Sequence, residues 1–264
     1  MRIPFAQIDA FADTAFHGNP AAVMPLSAWL DDAVLLAIAR ENNLSETAFL
    51  IPDPSGEADF ALRWFTPAAE VALCGHATLA SGHFVLTSDR ARERVRFATR
   101  QAGVLEVARA GAGYEMALPA WAPQPCDLPD VVAALRVEAV DTLYHDKGYP
   151  VVVVADEAAV RAAAPDMAAL KACGPYVVVV TAPGETADVV SRAFTPFYDI
   201  PEDPVTGSAH AVIAPYWAGR LGTDTFTAFQ ASARGGRIGC RLADDRVLLT
   251  GGCVSVIEGT FLLP

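Results

Sequence analysis

Two stretches carry side chains able to do chemistry beside a helix start: "EVALCGHATL", residues 70–79, and "EDPVTGSAHA", residues 202–211. In each, polar residues flank a Gly-x-Ala step that opens an apolar run: Cys74, Gly75 and His76 in the first, Thr206, Gly207 and Ser208 in the second. The unpaired N–H groups and positive dipole end of a helix N-terminus suit a carboxylate. Glycine lets a ligand come close to the backbone. Gly75 and Gly207 are therefore candidate carboxylate-binding positions, with Cys74, His76, Thr206 and Ser208 around them. Each polar residue also has a plain structural reading. Thr206, Ser208 and Thr78 are acceptable helix caps, His76 a satisfied buried histidine, Cys74 a small apolar side chain.

Two carboxylates complete the candidate set. Asp203 precedes Pro204, which holds it extended or in a turn just ahead of the second helix. There it either serves the helix dipole or holds a substrate amine or hydroxyl opposite the carboxylate site. Glu46, in "NNLSETAFL", stands between the end of a helix pattern and a strand that reads as buried, Thr47 to Ile51. A carboxylate against such a strand loses solvation and can act as a general acid/base. An exposed strand-start glutamate is the plainer alternative, and the sequence alone favours it.

Other chemistries lack their signatures. Ser208 and His210 are two apart on one helix and diverge, and no Gly-x-Ser-x-Gly occurs, so a serine hydrolase is not expected. His76 and His83 share a helix face without a third ligand at zinc-site spacing, so no metal is expected. The glycines of "GETADVV" and "GGRIG" lack the context of a dinucleotide fingerprint.

The elements that must position these residues form a repeated plan. "RWFTPAAEVALCGHATLASGHFV" and "RAFTPFYDIPEDPVTGSAHAVIAPYW" both run Arg-x-Phe-Thr-Pro, an acidic stretch, then the helix start. Pro67 precedes Gly75 by eight residues and Pro196 precedes Gly207 by eleven, so the halves differ by a three-residue insertion. Strands are predicted at 95–99, 104–110 and 114–119, helices over "DDAVLLAIAREN", "LPDVVAALRV" and about 157–171, and a helix from about Gly207 to Gly219. "PAWAPQPCDLPD", 119–130, holds four prolines and is the best linker candidate. The expected domains are 1–118, completed by a C-terminal strand at about 252–264, and 119–251. If the halves face each other, both helix starts converge on a cleft between them, the usual place for a small ligand.

Composition narrows the partners. The chain has 264 residues, 53% of them hydrophobic, and a net charge of -12. It can bury a core unaided, and its acidity makes nucleic acid a poor partner. Five scattered cysteines without a Cys-x-x-Cys pair read as reduced thiols of a cytoplasmic protein. The N-terminus has no signal-peptide pattern, and no apolar run is long enough to span a bilayer.

The order of "DAFADTAFHGNPAAV", "NNLSETAFL", "RWFTPAAEVALCGHATLA", "RAFTPFYDIPEDPVTGSAH" and "QASARGGRIGCRL" over nearly the whole chain resembles the PhzF-type phenazine-biosynthesis isomerases of the diaminopimelate-epimerase-like fold. The resemblance implies an α/β (α+β) fold of two pseudo-symmetric domains. Each would be an antiparallel barrel-like sheet around a central helix, with the active site between them. It implies no metal or organic cofactor and commonly a homodimer. Glu46 corresponds to the family's proton-shuttling acid/base. His76, Asp203 and Ser208 correspond to other polar site residues, and Gly75 and Gly207 to donors of backbone N–H to a carboxylate. The activity implied is proton relocation on a small carboxylate, as in the isomerisation of trans-2,3-dihydro-3-hydroxyanthranilate. Two alternatives stand beside it. One is a racemase-, epimerase- or hydroxyproline-dehydratase-like enzyme of the same fold using Cys74, for which the position before Gly207 is Thr206 and not a second cysteine. The other is a non-catalytic small-molecule-binding protein.

Overall fold

The computed structural model describes residues 1–263. The chain divides into two compact units, residues 1–117 with the segment from Thr250 onward, and Leu118–Leu249. From the N-terminus run β1 (Arg2–Ala10), β2 (Asn19–Pro25), α1 (Asp32–Asn42), β3 (Glu46–Pro52), β4 (Phe60–Phe65), β5 (Glu70–Val71), α2 (Gly75–Ser88), β6 (Arg94–Thr99), β7 (Val104–Ala110) and β8 (Gly113–Pro119). Then come β9 (Gln124–Pro125), α3 (Pro129–Leu135), β10 (Asp141–His145), β11 (Tyr149–Val153), α4 (Glu157–Ala162), α5 (Met167–Cys173), β12 (Val178–Pro183), β13 (Val189–Thr195), a 3-10 turn at Pro196–Tyr198, and β14 (Ile200–Asp203). The rest is α6 (Gly207–Leu221), β15 (Thr225–Gln230), β16 (Gly236–Ala243), β17 (Arg246–Gly251) and β18 (Cys253–Leu262). β18 lies antiparallel to β1, so the chain's end rejoins the first unit; residue 264 lies outside the described residues.

The two units share a strand plan. In the first, β1 pairs with β2, β2 runs parallel to β3 across α1, β3 pairs with β4, β4 with β5, and β4 runs parallel to β6 across α2. In the second, β10 pairs with β11, β11 runs parallel to β12 across α4 and α5, β12 pairs with β13, β13 with β14, and β13 runs parallel to β15 across α6. The pairs β6–β7, β7–β8, β15–β16 and β9–β10 are antiparallel as well. The strands of each unit, all part of one 18-stranded sheet among the described residues, are thus mostly antiparallel, with a parallel pair wherever a helix crosses between strands.

α2 is the core of the first unit. Gly75 through Gly82, Val85 and Leu86 are buried, and the helix packs against β1, β2, β3, β6, β7 and β18. A helix that is apolar on all sides belongs in a core, not on a surface. Its polar residues are satisfied internally: Thr78 Oγ1 donates to the Cys74 carbonyl at 2.6 Å and Ser81 Oγ to that of Ala77 at 2.7 Å. Gly82 lets the helix press onto β7, where a Cβ would stand 2.4 Å from Val107 Cγ1.

α6 takes the same central place in the second unit, packed on β11 and β16. Pro215 sits inside it and removes the N–H that would reach the Ala211 carbonyl. That carbonyl accepts instead from Trp121 N–H at 3.0 Å. The proline-rich segment therefore docks on the helix, and its Gln124–Pro125 pairs with β10, so it is more than a linker.

The predicted helix over 157–171 is two helices, because Pro165 falls between them. Asp156 and Asp166 cap them separately, accepting from Ala159 N–H at 2.9 Å and Ala169 N–H at 3.1 Å. Among the described residues no helix is long and apolar enough to cross a membrane.

The Gly82 contact gives a stability test. Gly82→Ala gains helix propensity but drives a methyl into Val107, and the expected net loss is about 1–2 kcal/mol. It should appear as a lower denaturant midpoint at constant slope.

Candidate active site

Both helix starts are delivered by the same device, an arginine–glutamate clamp. Arg63 on β4 donates through Nε to Glu70 Oε1 at 2.8 Å and through Nη2 to Oε2 at 2.7 Å. Arg192 on β13 donates through Nε to Glu202 Oε1 at 2.8 Å and through Nη2 to Oε2 at 2.9 Å. Each guanidinium also lies over the phenylalanine of its own Arg-x-Phe-Thr-Pro motif, 5.0 Å from the Phe65 ring and 4.8 Å from the Phe194 ring. The threonines close the turns, Thr66 Oγ1 donating to the Ala69 carbonyl and Thr195 Oγ1 to that of Ile200. Bidentate pairing fixes both direction and distance, so the segment ahead of Gly75 and that ahead of Gly207 are held rigidly.

In the first unit the clamp presents Cys74, Gly75 and His76 beside Glu46. α1 ends at Asn42, Asn43 turns in the left-handed region at φ 48°, and Asn42 Nδ2 donates to Thr47 Oγ1 at 3.1 Å. That tight turn sets Glu46 at the start of β3, opposite Ala21 of β2. Its side chain is 13% exposed, and Oε2 lies 2.9 Å from Nε2 of the buried His76. The contact is an ion pair set by distance; Oε2 meets no well-aligned donor. On the other side of the ring, Nδ1 lies 3.1 Å from Asn19 Nδ2 and 3.5 Å from Cys74 Sγ. An imidazolium selects the oxygen end of that amide, a bare Nδ1 the nitrogen end.

These neighbours set the protonation states. Burial works against a charged imidazole, yet the adjacent sulfur and the Glu46 carboxylate outweigh it and hold His76 well above its usual range. Burial, with Glu46 nearby, pushes the Cys74 thiol up to about 11. The thiol therefore keeps its proton at neutral pH, and the Glu46 side chain faces the ring at 2.9 Å.

In the second unit the partners differ. Thr206 Oγ1 donates to Asp203 Oδ2, and the side-chain amide of Gln230 bonds both residues. Ser208 is half-buried on the first turn of α6. His210 is fully buried, and Nδ1 lies 2.8 Å from the Thr206 carbonyl, the bond that Thr78 makes to Cys74 in the first unit. Burial, opposed by that bond, pushes His210 down to about 4, so it is neutral.

Neither Cys74 nor Thr206 caps its helix with a side chain. The capping alternatives for Thr206 and Thr78 are thus not what these hydroxyls do, and the starts of both helices are left without side-chain caps. Glu46 is not an exposed strand-start residue. His83 stands apart from this group, its ring nitrogens at 3.0 Å from Tyr114 Oη and 3.1 Å from Ser255 Oγ. Glu46, Cys74 and His76 bring donor atoms within 4.8 Å of one another, a set that suits a zinc-type ion. Sequence spacing hid this set, since Glu46 comes from another element. A metal needs the thiolate and the neutral imidazole, whereas the cluster favours the protonated form of both.

Asn19, Gln230 and the two clamps are the functional residues that the sequence reasoning passed over. Asn19 lies in "GNPAAV" and Gln230 in "QASARGG", both quoted for the family resemblance. The clamps were legible as the arginine and acid common to the two repeats, seven residues apart in one and ten in the other.

The sequence profile of the PhzC-PhzF family, described as phenazine biosynthesis-like protein, matches residues 8–259. The chain belongs to this family. It is 48% identical to a Pseudomonas aeruginosa protein named an uncharacterized isomerase, over all of both chains. The crystal structure of a PhzF-family protein from Enterococcus faecalis superposes with a TM-score of 0.92 at 43% identity, covering all of both chains. A hydroxyproline epimerase from Agrobacterium vitis, with bound trans-4-hydroxy-L-proline, has a TM-score of 0.59 at 12% identity, covering 98% of this chain and 92% of its own, and shows a shared fold. The chain is an isomerase of the PhzF type.

The charge state of this PhzF-type site is directly measurable. In the wild type His76 should remain protonated through neutral pH in an imidazole NMR titration. In Glu46→Gln the carboxylate beside the ring is gone, burial is opposed by the Cys74 sulfur only, and the midpoint should fall below that of the wild type. The sign for stability follows: a histidine whose folded pKa is raised adds stability in full below about 6.5, and loses it as pH rises through the folded value. The stability gap between wild type and Glu46→Gln should narrow toward alkaline pH.

Proposed function

We propose that the protein is a cofactor-independent isomerase that moves a proton on a small amino- or hydroxy-carboxylate, similar to trans-2,3-dihydro-3-hydroxyanthranilate isomerase. The observation that carries this reading is the Glu46–His76 contact, 2.9 Å long and largely cut off from water, at the start of α2. A carboxylate so placed is a base able to keep the proton it takes and hand it back.

In the proposed step Glu46 takes a proton from a carbon next to an electron-withdrawing group. The electron pair moves into the conjugated system, and the same proton returns at another carbon on the same face. The atoms balance within the substrate, so the step calls for no cofactor. His76 as imidazolium steadies the carboxylate and the charge that develops. Backbone N–H groups at Gly75 and Gly207, with the Ser208 hydroxyl, receive the substrate carboxylate, and Thr206 stands beside them with its hydroxyl donated to Asp203. Asp203 accepts from its amine or hydroxyl. The two units are taken as the two functional domains of one enzyme.

The division of labour follows from the shared plan. Phe65 and Phe194 occupy the same place in the repeat and pair with Thr47 and Val178. The second unit therefore has Val177 where the first has Glu46, and Thr206 and Ser208 where the first has Cys74 and His76. This supports one base, not an opposed pair. An epimerase or dehydratase driven by Cys74 would need a reactive thiol, and burial keeps this one protonated. The same reading takes the protein as a cytoplasmic homodimer; five free cysteines support a reducing compartment.

Glu46→Gln keeps the shape and removes the base. With trans-2,3-dihydro-3-hydroxyanthranilate or related amino-carboxylates in D2O, wild type should isomerise the substrate, deuterium entering only as far as the proton on Glu46 exchanges before its return, and the variant should slow by about 100- to 10,000-fold. Isomerisation by the variant at the wild-type rate would end the proposal. Alkylation of Cys74 should leave exchange chemistry in place apart from steric blocking.

A further inference from the structure

Gln230 is a buried amide that the acid/base scheme leaves without a task. It ends β15, is fully buried, and opens the motif "QASARGG". Its oxygen accepts from Thr206 N–H at 2.8 Å, and its nitrogen donates to the Asp203 carbonyl at 2.6 Å and to Thr206 Oγ1 at 3.1 Å. The orientation of the amide is fixed by chemistry. A backbone N–H can only donate, so it faces Oε1; a backbone carbonyl can only accept, so it faces Nε2. Thr206 Oγ1 thus accepts a hydrogen bond from Nε2 and must direct its own hydrogen elsewhere. It sends it to Asp203 Oδ2.

We infer that Gln230 is a positioning residue for the proposed isomerisation: it fixes the sense of the Thr206 hydroxyl and so holds Asp203 as an acceptor toward a substrate amine or hydroxyl. The inference rests on the assignment of Asp203 as a substrate-binding group. It also names the preferred substrate class, carboxylates that present a hydrogen-bond donor beside the carboxylate. Without the amide, the Thr206 hydroxyl is free to turn into α6 as an ordinary cap, and Asp203 loses the bond that holds its rotamer.

The shared plan separates this role from a demand of the fold. Ser191 pairs with Gln230 across β13–β15, as Leu62 pairs with Thr99 across β4–β6. Ser191 and Leu62 each precede the clamp arginine, so Thr99 is the counterpart of Gln230. Thr99 closes a local turn by donating to the Gly103 carbonyl at 2.8 Å and does nothing at the start of α2. The scaffold therefore forms without an amide at this place, and the second unit carries one where it also carries Asp203 and Thr206.

The test compares two probes, anthranilate and benzoate, which differ only in the amine donor. Calorimetric titration of the wild type should favour anthranilate. In Gln230→Met the anthranilate-to-benzoate ratio should fall about tenfold, while benzoate affinity stays within about twofold. Thr206→Val, which keeps the shape and removes the hydroxyl, should give the same fall, and the double variant should be no worse than either single one. A structural role alone would weaken both probes together. Glu46→Gln should keep the binding ratio while losing proton exchange, so the two proposals fail separately. A preference that survives in Gln230→Met and Thr206→Val would overturn this inference alone. Equal or absent binding of the two probes to the wild type would overturn it together with the assignment of Asp203.

Discussion

The first unit's site depends on one buried contact, Glu46 Oε2 with His76 Nε2. Neither partner could be buried alone at modest cost, since an isolated charge away from water is strongly disfavoured. Together they are stable only if three separate elements meet with the right register. β3 must begin at residue 46 and not one position away, because a one-residue slip would turn the carboxylate to the opposite face. The clamp of Arg63 and Glu70 must hold the chain ahead of Gly75. Asn19, at the start of β2, must reach the far side of the imidazole. The apolar packing of α2 fixes the helix to which His76 is attached.

The same scaffold appears twice with different chemistry. The clamps, the threonine-closed turns and the back-bonds from Thr78 and His210 to the residue before the helix repeat in both units. These are the parts that build a helix start. What differs is what the start carries: a carboxylate, an imidazole and a thiol in one, an aspartate, a threonine and an amide in the other. Position 177 is valine where position 46 is glutamate. Duplication of the scaffold without duplication of the glutamate is the feature on which the proposed one-base chemistry rests.

Much of this was legible in the sequence, for identifiable reasons. The helix starts at Gly75 and Gly207 show because glycine, small residues and apolar runs change abruptly there. The repeat shows because Arg-x-Phe-Thr-Pro is rigid and compositionally distinct. The break near Pro165 was missed because alanine-rich sequence on both sides keeps a helical pattern. The environment of Glu46 could not be read from its own neighbours, which fit an exposed strand start equally well. It is set by His76, thirty residues later on another element. Asn19 and Gln230 escaped for the same reason, since an amide has no pattern of its own and its partners are distant in the chain. The metal-compatible grouping of Glu46, Cys74 and His76 is likewise a product of tertiary structure.

The measurement that bears most directly on the central claim follows the substrate's own hydrogen through a single turnover in D2O. A lone carboxylate that takes and returns one proton on one face, shielded from water, predicts that a measurable fraction of product retains the original hydrogen, now at the new carbon. Complete replacement by deuterium delivered to the opposite face, with no retention at any turnover, would mean that a second base acts, and would contradict the assignment of Glu46 as the sole proton carrier.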